Sequence, residues 1–309
     1  MASNSKRDGL YRWSLRGNAV FSTLSGLTLA AAPAMLSEWM GIAPGYDWLL
    51  RSIGIGLVIF AAVVAWVSMR PVVRPYEAVF IALADFGWVV GTAALLIMAP
   101  DAMNGAGKYA AIGVACMVFT FASLQLLGTR RFLRETNPDL GDWRYCISVD
   151  VDAGADEAWR IVSDLGGISR YLATLTSSEV RDGAEPGIGA IRTCKNTQGQ
   201  VWSEKVTNFQ PEGRVRSFNV RFLDEEPEFP FPMKALYGGW SVEALGAGAR
   251  INVWWSATPS VPVLPWMVVV LMSASLEKDF PPLIARMAAD AKGEPIPPVV
   301  RGRVARAVC

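Results

Sequence analysis

The chain has 309 residues and a net charge of +1, and its hydrophobic fraction of 52% against 18% charged residues is too apolar for an ordinary soluble protein. Near-neutral charge points to no nucleic-acid partner. The absence of histidine removes the commonest general base and metal ligand, which weighs against most hydrolase and metalloenzyme chemistry. The four cysteines, Cys116, Cys146, Cys194 and Cys309, form no C-x-x-C pair, and are read as free thiols of a reducing compartment, with no metal or other cofactor held.

The apolar mass falls in the first 128 residues. Residues 17–36, 52–69 and 109–128 carry no charge, and 78–100 carries only Asp85. About 20 apolar residues cross the hydrocarbon core, so this composition predicts four transmembrane helices in a domain over residues 1–130. Flanking cations orient them. Lys6, Arg7, Arg12 and Arg16 precede the first span, Arg70 and Arg74 follow the second, and Arg130, Arg131 and Arg134 follow the fourth. The other two connections offer only Arg51 and Lys108, so both termini are expected in the cytoplasm. Gly87 and Gly91 form a G-x-x-x-G pattern that permits close helix approach. Asp85 is the intramembrane polar residue, within reach of Asn18, Ser22 or Gln125. It is read as a packing hydrogen bond, because no second intramembrane charge completes a relay.

From Trp143 the period changes. WRYCISVDV alternates as a strand, and Ala158, Trp159, Ile161, Val162 and Leu165 form a helical stripe ended by Gly166 and Gly167. A second short helix is expected over 168–173, then strands over 177–181, 189–195, 201–209, 214–222, 233–243 and 249–258. A long helix over 264–292 follows, bent at Pro281-Pro282. Strands bracketed by helices predict an α+β domain, an antiparallel sheet with helices on one face. Roughly fourteen residues separate it from the last span, which keeps it within roughly 50 Å of the bilayer.

This half resembles the START-like superfamily called SRPBCC, which includes polyketide cyclases, the birch-pollen-allergen group and the plant abscisic-acid receptors. The segments that carry the resemblance are ISVDVDAGADEAWRIVSDLGGISRYL, GIGAIRTC at 187–194, WSEKV at 202–206 and YGGWSVEAL at 237–245, within residues 142–292. Gly154 stands where members usually carry a proline. The resemblance implies a helix-grip fold, with the sheet wrapped around the long helix and an apolar cavity between them. It also implies a hydrophobic small molecule or lipid as ligand.

The strand phases agree with a concave face. Phe218, Val220 and Phe222 alternate on one side, as do Ile251, Val253 and Trp255. Glu204 shares the face of Trp202 and Val206, so it either points into an apolar interior and needs a partner, or lies on a solvated edge. The resemblance makes Glu204 a ligand contact through water and Tyr237 a pocket wall. Trp159, Tyr171, Met267 and Leu271 complete the expected lining. The loops 224–233 and 259–272 border the pocket mouth in that fold, so Phe229, Phe231, Leu264 and Trp266 are expected as an exposed apolar rim facing the membrane. Residues 293–309 form a basic tail with Arg301, Arg303 and Arg306, expected to be disordered and drawn to anionic lipid. The expected function is a membrane-tethered cytoplasmic carrier or sensor of a hydrophobic molecule. The alternatives are a cyclase or dehydratase using Glu204, Tyr237 and Arg192, or an interaction module for a membrane-protein partner or a second copy.

Overall fold

The computed structural model describes residues 9–298, 300, 304–307 and 309. Lys6, Arg7, Arg301 and Arg303 lie outside the described residues. The chain divides into two compact units, one ending at Phe132 and the other beginning at Leu133.

The first unit holds α1 (Gly9–Ala31), α2 (Pro33–Met40), α3 (Asp47–Met69), α4 (Pro75–Met98) and α5 (Gly105–Leu133). The last three are each long and apolar enough to cross a membrane. The first expected span is not one straight helix. Pro33 has no N–H to continue the ladder of α1 and instead opens α2, and the two helices meet at 93°. Counted as one bent span, the pair brings the total to four. Tyr11, Leu15 and Ala19 of α1 pack on Val64 and Val67 of α3 and on Ala78 and Ile81 of α4. Close helix approach occurs at Gly26 and Gly54: a Cβ on Gly26 would sit 2.7 Å from the Gly54 carbonyl oxygen. At Gly87 and Gly91 a Cβ would meet nothing within 4 Å, so that motif makes no such contact within the described chain. Arg12 donates to the carbonyls of Ser68, Arg70 and Pro71 at the end of α3, and Arg70 pairs with Glu77. Arg12, Arg70 and Arg74 therefore gather at one end of the helices.

The second unit is a helix-grip domain. Its strands are β1 (Trp143–Val151), β2 (Leu175–Val180), β3 (Ile191–Asn196), β4 (Val201–Gln210), β5 (Val215–Phe222), β6 (Met233–Leu245), β7 (Gly248–Pro259) and β8 (Arg306–Ala307). They form one antiparallel sheet in the order β2-β3-β4-β5-β6-β7-β1-β8. Two helices cover its inner face, α6 (Ala155–Val162) and α7 (Pro265–Ala291). Trp159 of α6 packs on Phe209 and Phe218, and Phe280 of α7 packs on Trp240 and Trp255. The expected second short helix is a tighter turn over Leu165–Arg170, started by the Asp164 side chain accepting the Gly167 N–H. The long helix runs as one element through Pro281 and Pro282.

The tail departs from its expected disorder. β8 pairs antiparallel with β1, setting Ala307 opposite Ser148 and Arg306 opposite Val149. Arg306 donates to Glu277 Oε1 at 2.5 Å, and the Tyr145 hydroxyl donates to the same oxygen at 2.5 Å. Cys309 is bonded to Cys146, so two of the cysteines read as free thiols are a disulfide. Two needs explain this docking: an edge strand leaves unpaired backbone groups, and the buried Glu277 requires a cation.

Candidate functional site

The register of β3, β4 and β5 builds a charged pair into the inner face. Arg192 lies opposite Glu204, Cys194 opposite Trp202, and Glu204 opposite Phe222. Arg192 Nη2 donates to Glu204 Oε2 at 2.5 Å, with both side chains 6% exposed. Arg192 Nη1 donates to the Leu165 carbonyl at 3.1 Å, and Trp202 Nε1 donates to Glu204 Oε1 at 2.9 Å. Arg192 Nε is buried without a partner among the described residues. Burial is the largest single influence and would lower the Arg192 pKa, but the Glu204 charge, the neighbouring Cys194 and the hydrogen bond to Glu204 together outweigh it and hold the guanidinium above its ordinary value. The neighbouring Cys194 thiol is pushed up to about 11, first by burial and then by the Glu204 charge.

Aromatic rings wall this pair. Phe231 stands 5.4 Å from Trp202 and 6.2 Å from Phe222, edge to face, and Phe229 packs on Phe231 at 5.4 Å. Phe229 and Phe231 are thus half-buried parts of the wall rather than a free rim. Trp266 is also not on a rim. It is 5% exposed, because it shares the inward stripe of α7 with Val269, Val270, Ser273 and Glu277. Leu264 is exposed as expected, in a left-handed conformation with φ 49°.

The other expected lining residues divide. Trp159, Phe218, Val220, Phe222, Val253 and Trp255 are buried on the inner face. Tyr171 is buried too, but its hydroxyl donates to Asp290 and its carbonyl accepts from Arg286, so it fastens a turn to the end of α7. Met267 is half-buried. Leu271 is 69% exposed, because it lies off the inward stripe of α7. Tyr237 is also misplaced by the expectation. It pairs with Arg221 and Ser256 on the outer face, and Gly238 takes the inner position opposite Val220 and Trp255. The candidate acid–base residues therefore reduce to Glu204 and Arg192, and they face each other. The signal for Arg192 lay in its phase with Ala190 and Cys194; its partner was set by register, which the sequence does not display.

Residues 143–292 match the family described as "Polyketide cyclase / dehydrase and lipid transport". No curated protein sequence matches the chain. Similar solved structures include the aromatase/cyclase Zhui from a Streptomyces species, at 16% identity and TM-score 0.37, covering 48% of this chain and 93% of that one. Norcoclaurine synthase from Thalictrum flavum, solved with dopamine and hydroxybenzaldehyde, is 17% identical with TM-score 0.38, over 48% of this chain and 86% of its own. The protein XoxI from Bacillus cereus is 16% identical with TM-score 0.39, over 48% and 97%.

Proposed function

Because residues 143–292 form a domain of the polyketide cyclase/dehydrase and lipid-transport type, we propose that this chain is a membrane-tethered binding protein for a hydrophobic molecule carrying a polar group. The observation that supports this most is the Arg192–Glu204 pair, buried beneath Trp202, Phe222 and Phe231. An ion pair removed from water is a costly element in a core that needs only packing, and it earns a place where a polar group must be read inside an apolar site. In this proposal Arg192 and Glu204 read the polar group of the ligand, the aromatic wall takes its apolar body, and the segment with Phe229 and Phe231 moves to admit it. Binding is favoured over acid–base chemistry because both oxygens of Glu204 already accept hydrogen bonds, from Arg192 and from Trp202. The cation distribution supports a cytoplasmic location for this domain.

Native mass spectrometry of the full-length protein in detergent tests the proposal. A retained small molecule is expected, lost when Arg192 and Glu204 are replaced together by Met and Leu. A protein that carries no adduct after incubation with a total lipid extract would overturn binding and leave the interaction module as the better reading.

A further inference from the structure

The helical unit contains a cavity of about 320 Å³ between α1, α3, α4 and α5. Its walls are mostly apolar and include the rings of Phe21, Phe60 and Trp88, yet Asp85 and Ser22 also line it. Asp85 is 4% exposed. Asn18 Nδ2 donates to its Oδ2 at 2.7 Å, and Gln125 Nε2 donates to the same oxygen at 3.2 Å. Ser22 donates to Asn18 Oδ1 at 3.0 Å. Both donors thus converge on one carboxylate oxygen, and Oδ1 receives none among the described residues. Gln125 Oε1 is buried without a partner among the described residues. Flipping that amide would set its oxygen against Asp85, so the shortage of donors is a property of the cluster. No lysine or arginine pairs with Asp85 among the described residues.

A carboxylate short of donors, beside an apolar space lined by three aromatic rings, selects a ligand that brings both hydrogen-bond donors and positive charge. An ammonium group meets the carboxylate and the ring faces together. The volume suits a compact apolar body, near the lower end of ligand pockets of about 300–1,000 Å³. We propose that the bundle holds a binding site for a small lipophilic amine in its ammonium form, with Asp85 as its counter-charge. This site is separate from the Arg192–Glu204 pair and does not rest on the reading of that pair.

The test compares 1-aminoadamantane with 1-adamantanol, which differ little in shape, by equilibrium dialysis against the full-length protein in detergent. The amine is expected to bind saturably and at least about tenfold more tightly than the alcohol, the factor that a hydrogen bond to a charged group supplies. Asp85→Asn should erase that preference. Gly56 lines the cavity, and a Cβ there meets nothing within 4 Å, so Gly56→Leu should fill the space and abolish binding of both probes without touching Asp85. The site is overturned if the amine does not bind or binds no better than the alcohol. It is equally overturned if Gly56→Leu, or a folded Asp85→Asn, leaves amine binding intact. Should Asp85→Asn fail to fold, Gly56→Leu decides the question alone.

Discussion

Glu204 and Arg192 each neutralise a charge that water cannot reach, so the two side chains are not independent targets for substitution. Removing one partner of a buried pair costs roughly 3–5 kcal/mol, because the other charge remains uncompensated, whereas exchanging both for apolar groups of similar volume is often neutral or better. Glu204→Gln keeps an oxygen for Trp202 Nε1 but leaves the guanidinium without its anion. It should therefore lower unfolding free energy by roughly 3 kcal/mol in denaturant titrations of the solubilised protein. Arg192→Met combined with Glu204→Leu should recover most of that loss. A single substitution without effect, or a double one as damaging as the single, would mean that the pair is hydrated in solution.

β8 is a short element with three attachments: its ladder to β1, the Arg306–Glu277 pair and the bond between Cys309 and Cys146. Ending the chain at Pro298 removes all of them. The loss of the buried pair alone is worth about 3 kcal/mol, and about 2–4 °C of melting temperature accompanies each kcal/mol in a domain of this size. The truncated protein should melt on the order of 10 °C lower, and Arg306→Leu should account for much of the drop under reducing conditions. Unchanged melting of both variants would show that β8 does not dock in solution. Other elements were legible to different degrees, for physical reasons. Strand β1 was readable because Trp143, Tyr145, Ile147 and Val149 recur at every second position and are all buried, although Ser148 between them is buried as well. Tyr237 was placed by likeness to a family position, although Leu236, Trp240 and Val242 set a phase that turns it outward. Trp266 was taken for part of a loop, whereas the helical period beginning at Pro265 puts it in line with Val269 and Val270. The disulfide left no trace in the spacing, since its partners are 163 residues apart and only the pairing of β8 brings them together.

Taken as one chain, an apolar helical unit continues directly into a helix-grip domain, and the side of the membrane on which that domain lies decides its chemistry. Arg12, Arg70 and Arg74 gather at one end of the helices, which supports the proposed cytoplasmic location. A reducing compartment would hold Cys146 and Cys309 as thiols placed to bond on oxidation. Cells quenched in acid and alkylated under denaturing conditions should therefore yield both as modified thiols, while protein purified in air should yield them bonded. Cys194, buried and with its thiol pushed up to about 11, should resist alkylation while the protein stays folded. A bonded pair in freshly quenched cells would place the domain in an oxidising compartment and reverse the assigned orientation. Once closed, the bond makes a covalent ring of residues 146–309. A protease that cuts once inside the ring, at the exposed turns near Asp182 or Glu228, opens a loop without dividing the molecule. Neither piece is shed from the membrane, and the two separate only when the bond is reduced. Release of the C-terminal piece then takes two events, a cut and an electron donor, and the ring works as a lock with two keys.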